Sequence, residues 1–139
     1  MRQMTMSLFI SLAISCGTTR STKMYSNILN GTWVPIKQEI GGTLLPKAAF
    51  ENQKLIINDS TYTFTAESID KGVLKYKDDK MDIYGKEGVN TGKHFTAIYK
   101  YENEQLTICY NLSGDSYPEL FEAIKNENLI VFLGAGDSK

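Results

Sequence analysis

Cysteine, histidine and tryptophan are scarce in this sequence, and neither sign of charge is in excess. The 139 residues include two cysteines, one histidine and one tryptophan, and 15 Lys and Arg side chains oppose 16 Asp and Glu. A near-neutral chain has no general electrostatic attraction to nucleic acid, so no nucleic-acid partner is predicted. A single histidine leaves few acid–base or nucleophile–base pairs that could support catalysis.

What the chain does have is the composition of one ordinary globular domain. Hydrophobic residues make up 42% of the sequence and charged residues 22%, which is typical of a domain with one core. The length is sufficient for one domain and too short for two. A core of this size can be stable without disulfides or metal.

The N-terminal segment has the pattern of an export signal. Its one charge is that of Arg2, and an apolar run over residues 6–14 follows. This run is too short to span a bilayer as a permanent helix, but it has the length of a signal-peptide core. We therefore predict that residues 1–15 are a signal peptide. A core segment of the fold is the structural alternative.

The residues at the end of the apolar run resemble the lipobox of bacterial lipoproteins. Ser15 precedes Cys16, and Ala13 stands where leucine or valine is more usual. The resemblance implies that Cys16 is acylated, becomes the first residue of the mature protein and attaches it to a membrane. An ordinary secretory signal with a coincidental cysteine is the alternative.

Residues 16–29 are predicted to be a lipid-anchored flexible tether, because residues 17–23 are small and polar and lack apolar periodicity. Loss of Arg2 with the leader leaves 14 basic against 16 acidic side chains, a net charge of −2. Some bacterial groups use an acidic stretch after the lipidated cysteine for export to the cell surface, and none occurs here. The predicted location is the bacterial cell envelope, with the domain facing the periplasm.

Residues 30–139 are predicted to form one all-β domain. Several runs alternate apolar and polar residues, the pattern of half-buried strands between tight turns. Predicted strands are residues 31–36, 54–57, 61–66, 73–76, 80–84, 95–101, 106–110 and 129–133. Pro35 indicates a bulge or a sheet edge in the first strand, and residues 46–51 are predicted to form one helical turn that begins at Pro46.

About eight strands with short connections favour an antiparallel up-and-down barrel, with an open two-sheet sandwich as the alternative. The segment 117–125 fits two structures. Acidic residues early and Lys125 late suit a short helix, whereas Pro118 could open a strand.

Five short motifs are spread over residues 31–133. They are Gly31-Thr32-Trp33, Gly42 to Pro46, Gly92-Lys93 with Ile98-Tyr99, Leu106 to Tyr110, and Pro118 with Phe121 and Ala123. Together they resemble a family of exported bacterial lipoproteins with a lipocalin-like domain. The resemblance implies a barrel closed at one end by Trp33, an extended segment 117–125 and no established enzymatic activity. We therefore predict a strand over 117–125. Lipocalins often pack a basic side chain from near the end of the chain over the tryptophan. This sequence departs from that pattern, because no arginine follows Arg20.

The alternating strands also predict which side chains face the barrel interior. An eight-stranded barrel is just wide enough to be filled by side chains or to hold one small ligand. Tyrosine offers an apolar wall with a polar tip, which suits an amphipathic guest. The candidate ligand-binding residues are Trp33, Tyr62, Phe64, Tyr99, Tyr101, Ile108 and Tyr110. The alternative is a close-packed interior, with function on the outer surface through protein contacts.

The remaining polar clusters lead us to predict neither a metal site nor a cofactor. The acids within residues 78–82 lack the ligand spacing and glycine turn of a calcium loop. No helix follows the glycines of residues 134–136, which argues against a phosphate loop. Cys109 is predicted to be a buried, inert thiol, because the sequence places no base beside it.

Two function classes fit these observations. The first is a non-enzymatic binding or interaction role, for a small apolar ligand or an envelope protein. The second is an envelope hydrolase or isomerase with a carboxylate-based site, which requires groups within hydrogen-bond reach of the reacting atoms. The sequence identifies no such catalytic residues, so we predict binding and not an enzyme.

Overall fold

A computed structural model describes residues 28–123 and 128–137. The predicted signal peptide, Cys16 and the first part of the predicted tether lie outside these ranges. Within them the chain forms nine strands and one 3-10 turn. The elements are β1 (Gly31–Ile40), β2 (Thr43–Leu44), the 3-10 turn (Lys47–Ala49), β3 (Lys54–Asn58), β4 (Thr61–Thr65), β5 (Ile69–Lys77), β6 (Lys80–Glu87), β7 (His94–Glu102), β8 (Gln105–Asn111) and β9 (Leu129–Gly136).

The strands close into a barrel. From β3 to β9 each strand pairs antiparallel with the next, and β1 pairs with both β3 and β9. β1 and β3–β9 therefore form a closed eight-stranded barrel, while the short β2 forms a hairpin with the end of β1. The predicted all-β up-and-down barrel, with one short helical turn after the first strand, is confirmed. Closure removes the free sheet edges that an open sandwich would have.

The two ends of the barrel differ in their connections. Tight turns follow β3, β5 and β7 at one end, where Asp59, Asp78 and Asn103 have φ values of 52°, 58° and 51°. Asp and Asn tolerate this left-handed conformation better than most residues. We call this the closed end, and the chain enters the barrel here. The longer connections β1–β3, β4–β5, β6–β7 and β8–β9 surround the opposite end, which we call the open end.

A bulge in β1 changes which side chains face inward. The register between β1 and β9 shifts between Pro35 and Lys37, which is the first of the two possibilities that Pro35 indicated, a bulge or a sheet edge. Before the bulge Trp33 and Pro35 are buried, and after it Gln38 is buried while Lys37 is exposed. The extra residue thus turns an amide side chain into the barrel, since a one-residue shift exchanges the two faces of a strand.

Trp33 closes the barrel at the closed end. Its side chain is 5% exposed, and the indole Nε1 donates a hydrogen bond of 2.8 Å to the carbonyl oxygen of Leu29. The ring of Tyr101 meets the indole edge-on, with 5.8 Å between centroids. Leu29, at the end of the predicted tether, is buried in the main core, so the packed part of the chain begins before Asn30.

The predicted strand over 117–125 is wrong for the described part, because residues 117–123 contain no strand. β8 pairs directly with β9 from Gln105 to Asn111, which leaves no gap in the wall for another strand. The segment instead packs on the outside of the barrel. There it covers a second apolar cluster, formed by Ile98, Cys109, Ala123 and Val131 with Tyr117, Phe121 and Leu129 around them.

This cover explains the state of Cys109. The residue is 0% exposed, and it is a free cysteine. Burial raises the pKa of its thiol to about 11, although a backbone hydrogen bond at Glu122 acts in the opposite direction. The prediction of a buried thiol is confirmed, and so high a pKa leaves little reactive thiolate at neutral pH.

Candidate functional site

The interior of the barrel contains a cavity of about 300 Å³ that extends to the open end. Ligand pockets in proteins begin at about this volume. Its deep wall is apolar, because the inward-facing residues of the strands are aliphatic or aromatic. Leu55, Ile57, Leu74, Met81, Ile83 and Phe132 belong to this wall.

Four of the seven predicted ligand-binding residues line this cavity. They are Tyr62, Phe64, Ile108 and Tyr110. The other three, Trp33, Tyr99 and Tyr101, lie towards the closed end and do not line it. Tyr99 donates a hydrogen bond of 2.8 Å from its hydroxyl to the carbonyl oxygen of Asp78, and Tyr101 is 43% exposed. Alternation identified the inner faces of these strands, but not the position of each side chain along the barrel axis.

A pair of amides forms one polar part of the lining. Gln38, turned inward by the bulge, donates a hydrogen bond of 2.6 Å from Nε2 to Oε1 of Gln53. Gln53 in turn donates from Nε2 to the carbonyl oxygen of Ala49, at the end of the 3-10 turn. These two hydrogen bonds hold the β1–β3 connection beside the mouth of the cavity, its opening at the open end of the barrel. Neither glutamine was predicted from the sequence, although the possible bulge at Pro35 was a signal for Gln38.

A buried carboxylate forms the second polar part. Asp70, the second residue of β5, is 6% exposed. Its Oδ1 accepts a hydrogen bond of 3.2 Å from the backbone N–H of Asn90, and its Oδ2 accepts one of 3.1 Å from Nδ2 of the same residue. Both residues line the cavity. This pair was not predicted from the sequence, because the two residues are 20 positions apart and meet only when β5 and β6 pair.

Of the two tyrosines that line the cavity, Tyr62 interacts electrostatically with this carboxylate. Burial, and after it the charge of Asp70, raises the pKa of Tyr62. Burial also raises the pKa of Tyr110, with the neighbouring Tyr62 as the next cause. The mouth therefore combines apolar walls with neutral hydroxyls, amides and one carboxylate.

Exposed apolar side chains surround the open end. Each of the four connections at this end, or a strand residue next to it, contributes at least one of them. They are Ile40, Leu44, Ile69, Val89 and Leu112. Of these side chains, Ile40 and Leu112 also line the cavity.

A separate polar cluster lies on the outer wall, where the segment 117–123 crosses β6 and β7. Asp82 Oδ1 is 2.7 Å from Nε2 of His94, and its Oδ2 accepts a hydrogen bond of 2.6 Å from the Tyr117 hydroxyl. The Tyr84 ring stacks on His94 with 4.6 Å between centroids. Desolvation of Asp82 acts to raise its pKa, but the hydrogen bonds from Tyr117 and His94 and the nearby charges outweigh it and lower that pKa. The hydrogen bond to Asp82 raises the pKa of Tyr117 to about 12.

Replacement of Asp82 by asparagine is expected to reduce the free energy of unfolding by about 1.5–3 kcal/mol at pH 7, the usual range for hydrogen bonds to a charged group. The folded-state pKa of Asp82 lies below its ordinary value of 3.8. The stabilisation is thus fully present above that value and is lost as the pH falls through the folded-state pKa. Urea unfolding between pH 3 and pH 7 measures it.

The control for this experiment is Asp79→Asn, an exposed acid in the turn before the same strand. This change should alter stability by less than about 0.5 kcal/mol. A difference between wild type and D82N that persists unchanged at the lowest pH would contradict the assignment.

The described ranges contain no group of three or more His, Cys, Asp or Glu side chains placed to hold a metal ion. Within the same ranges no helix has both the length and the apolar character needed to cross a membrane. Comparison with protein-family models, curated proteins and solved structures gave no match to this chain. The resemblance to exported lipoproteins therefore remains a prediction.

Proposed function

We propose that this protein is a membrane-anchored lipoprotein of the bacterial cell envelope whose barrel binds one small amphipathic molecule. The observation that carries the proposal is the cavity of about 300 Å³, with an apolar deep wall and hydrogen-bonding groups at its mouth. Binding sites for small molecules generally combine an apolar lining with a few polar groups that orient the guest.

The position of the mouth supports an anchored binding protein. The chain enters the barrel at the closed end, beside Leu29 and Trp33, and the mouth is at the opposite end. A lipid on Cys16 would attach the domain through residues that precede the closed end. The point at which such an anchored segment joins the barrel would then lie opposite the mouth.

The lining favours binding over catalysis by carboxylates. Among the described residues, Asp70 is the one acidic side chain that lines the cavity. The close pair formed by Asp82 and His94 lies on the outer wall and not in the cavity. Catalysis by two carboxylates requires both groups to face one substrate.

The binding role is tested with 1-octanol as the probe and with Ile83→Trp as the blocking variant. Ile83 is buried and lines the cavity, so the larger indole would occupy the space of the guest. Octanol should raise the melting temperature of the wild type by mass action. Its affinity for I83W, measured by calorimetry, should fall by about tenfold or more.

The matched control is Ile56→Trp, because Ile56 lies on the outer face of β3 and is 39% exposed. I56W should bind octanol as the wild type does. Equal affinity in I83W and the wild type would show that octanol binds elsewhere. Absence of any octanol effect on the wild type would remove the support for a binding cavity.

The membrane anchor has a separate test. In cells fed a labelled fatty acid, the wild type should incorporate the label and Cys16→Ala should not, since the predicted acceptor is the Cys16 side chain. The Cys109→Ala variant is the control and should be labelled as the wild type is. Equal labelling of C16A and wild type would refute lipidation at Cys16.

A further inference from the structure

Among the described residues, the cavity lining carries a negative charge that no positive charge offsets. Among the described residues that line it, Asp70 carries a charge and no lysine, arginine or histidine is present. None of the ion pairs among the described residues includes Asp70. Its carboxylate is held by two neutral donors, both from Asn90.

This carboxylate is placed where the polar part of a guest would lie. Asp70 belongs to the end of β5 that adjoins the mouth, whereas Leu74 of the same strand belongs to the deep wall. An apolar chain fills the deep part at the lowest free energy, because burial removes its surface from water. The head group of an amphipathic guest then remains at the level of Asp70.

A second negative charge at that level would be strongly unfavourable. The site is shielded from water, so repulsion between two anions is screened less than at a surface. No basic side chain of the lining could offset the repulsion. A neutral N–H or O–H donor can share the carboxylate, and an ammonium group can form a charge-assisted hydrogen bond with it.

The volume limits the length of the apolar chain. At the volume that a water molecule occupies in the liquid, about 30 Å³, a space of about 300 Å³ holds on the order of ten heavy atoms. An eight-carbon chain with a small head group has about this size.

We infer that the cavity selects a short single-chain amphiphile whose head group donates hydrogen bonds and carries no negative charge, and that Asp70 excludes carboxylates. This inference rests on the proposed function of the cavity. The ligand class is therefore alcohols, amides or amines with one short alkyl chain, and not fatty acids.

The test compares three probes of equal chain length, 1-octanol, octylamine and octanoate, by calorimetry with the wild-type protein at pH 7. Octanol and octylamine should each bind more tightly than octanoate by about tenfold or more, since like charges placed against each other at an interface cost at least that much in affinity. The ranking should persist at high salt, because the carboxylate is buried.

The variant Asp70→Asn assigns the selectivity. It should bind octanoate at least severalfold more tightly than the wild type and octylamine less tightly, with octanol little changed. The control is Glu67→Gln, which removes an exposed acid from the neighbouring β4–β5 turn and should leave the ranking as in the wild type. Octanoate binding to the wild type as tightly as octanol would overturn the inference while leaving the cavity as a binding site.

Failure of all three probes to bind the wild type would instead count against the proposed function. Persistent exclusion of octanoate in folded D70N would overturn the role of Asp70. The wild-type ranking decides the ligand class even where D70N does not fold.

Discussion

Replacement of Trp33 by alanine is expected to lower the free energy of unfolding by about 3–5 kcal/mol, the range for truncation of large buried aromatics. The indole is almost completely buried in the main core. Its loss would remove the hydrogen bond from Nε1 to the Leu29 carbonyl and the edge-on contact with Tyr101. The carbonyl of Leu29 would then lose its partner in a buried setting, which adds to the cost of the void.

Urea unfolding followed by circular dichroism measures this effect, because the variant has no tryptophan to report fluorescence. Ile56→Ala is the control, since Ile56 lies on the outer face of β3 and is partly exposed. That change should cost about 1 kcal/mol or less. A loss in W33A no greater than in I56A would show that the indole does not close the barrel.

Replacement of Gly72 by alanine is expected to destabilise the barrel by about 3 kcal/mol, at the upper end of the usual cost of overpacking. A Cβ atom at Gly72 would lie 2.0 Å from the carbonyl oxygen of Tyr84 and 2.6 Å from Cε1 of Tyr62. The first of these neighbours is backbone and cannot rotate away. The register between β5 and β6 also shifts between Lys71 and Gly72, so the extra methyl group would have to open the ladder at its bulge.

Gly136→Ala provides the matched control in the same background. Gly136 also lies in a strand, and a Cβ atom there would meet nothing within 4 Å. This variant should have a stability within about 0.5 kcal/mol of the wild type. Thermal unfolding of both variants distinguishes a close approach at Gly72 from a general effect of adding a methyl group to a strand. Equal stability of G72A and G136A would contradict the packing of Tyr62 across Gly72.

Much of the fold follows from local patterns. In the hairpin of β3 and β4, Leu55, Ile57 and Tyr62 alternate with polar or exposed residues and face the interior. Turn-forming residues, such as Asp59 with its positive φ, separate the strands. These signals are local because a pleated strand sends alternate side chains to opposite faces. The bulge at Pro35 was also predictable, since proline cannot donate a ladder hydrogen bond.

The candidate site was predictable in part. Tyr62 and Tyr110 were placed on inner faces by alternation, and both line the cavity. Tyr99 and Tyr101 were placed there by the same reasoning, but they lie nearer the closed end. Strand periodicity identifies the face of a residue, whereas its height along the barrel depends on how neighbouring strands are staggered. That stagger is fixed when the barrel closes.

The path of residues 117–123 shows a second kind of limit. The segment contains apolar residues, and the resemblance predicted that it would be extended. Direct pairing of β8 with β9 excludes it from the sheet, and its apolar side chains instead bury Cys109 on the outer wall. Whether a stretch becomes a strand depends on a free edge elsewhere in the molecule, which no local pattern records.

The sequence by itself determined the all-β class, the order of the strands, the inward faces of β4, β7 and β8, and the single tryptophan at the start of β1. Only the tertiary structure decided that Asp70 meets Asn90, that Asp82 meets His94 and Tyr117, and that a cavity remains above the closed end. The physical reason is the range of the interactions. Alternation and turn conformation involve residues within a few positions of each other, whereas these contacts join residues 12 to 35 positions apart and form when the strands pair.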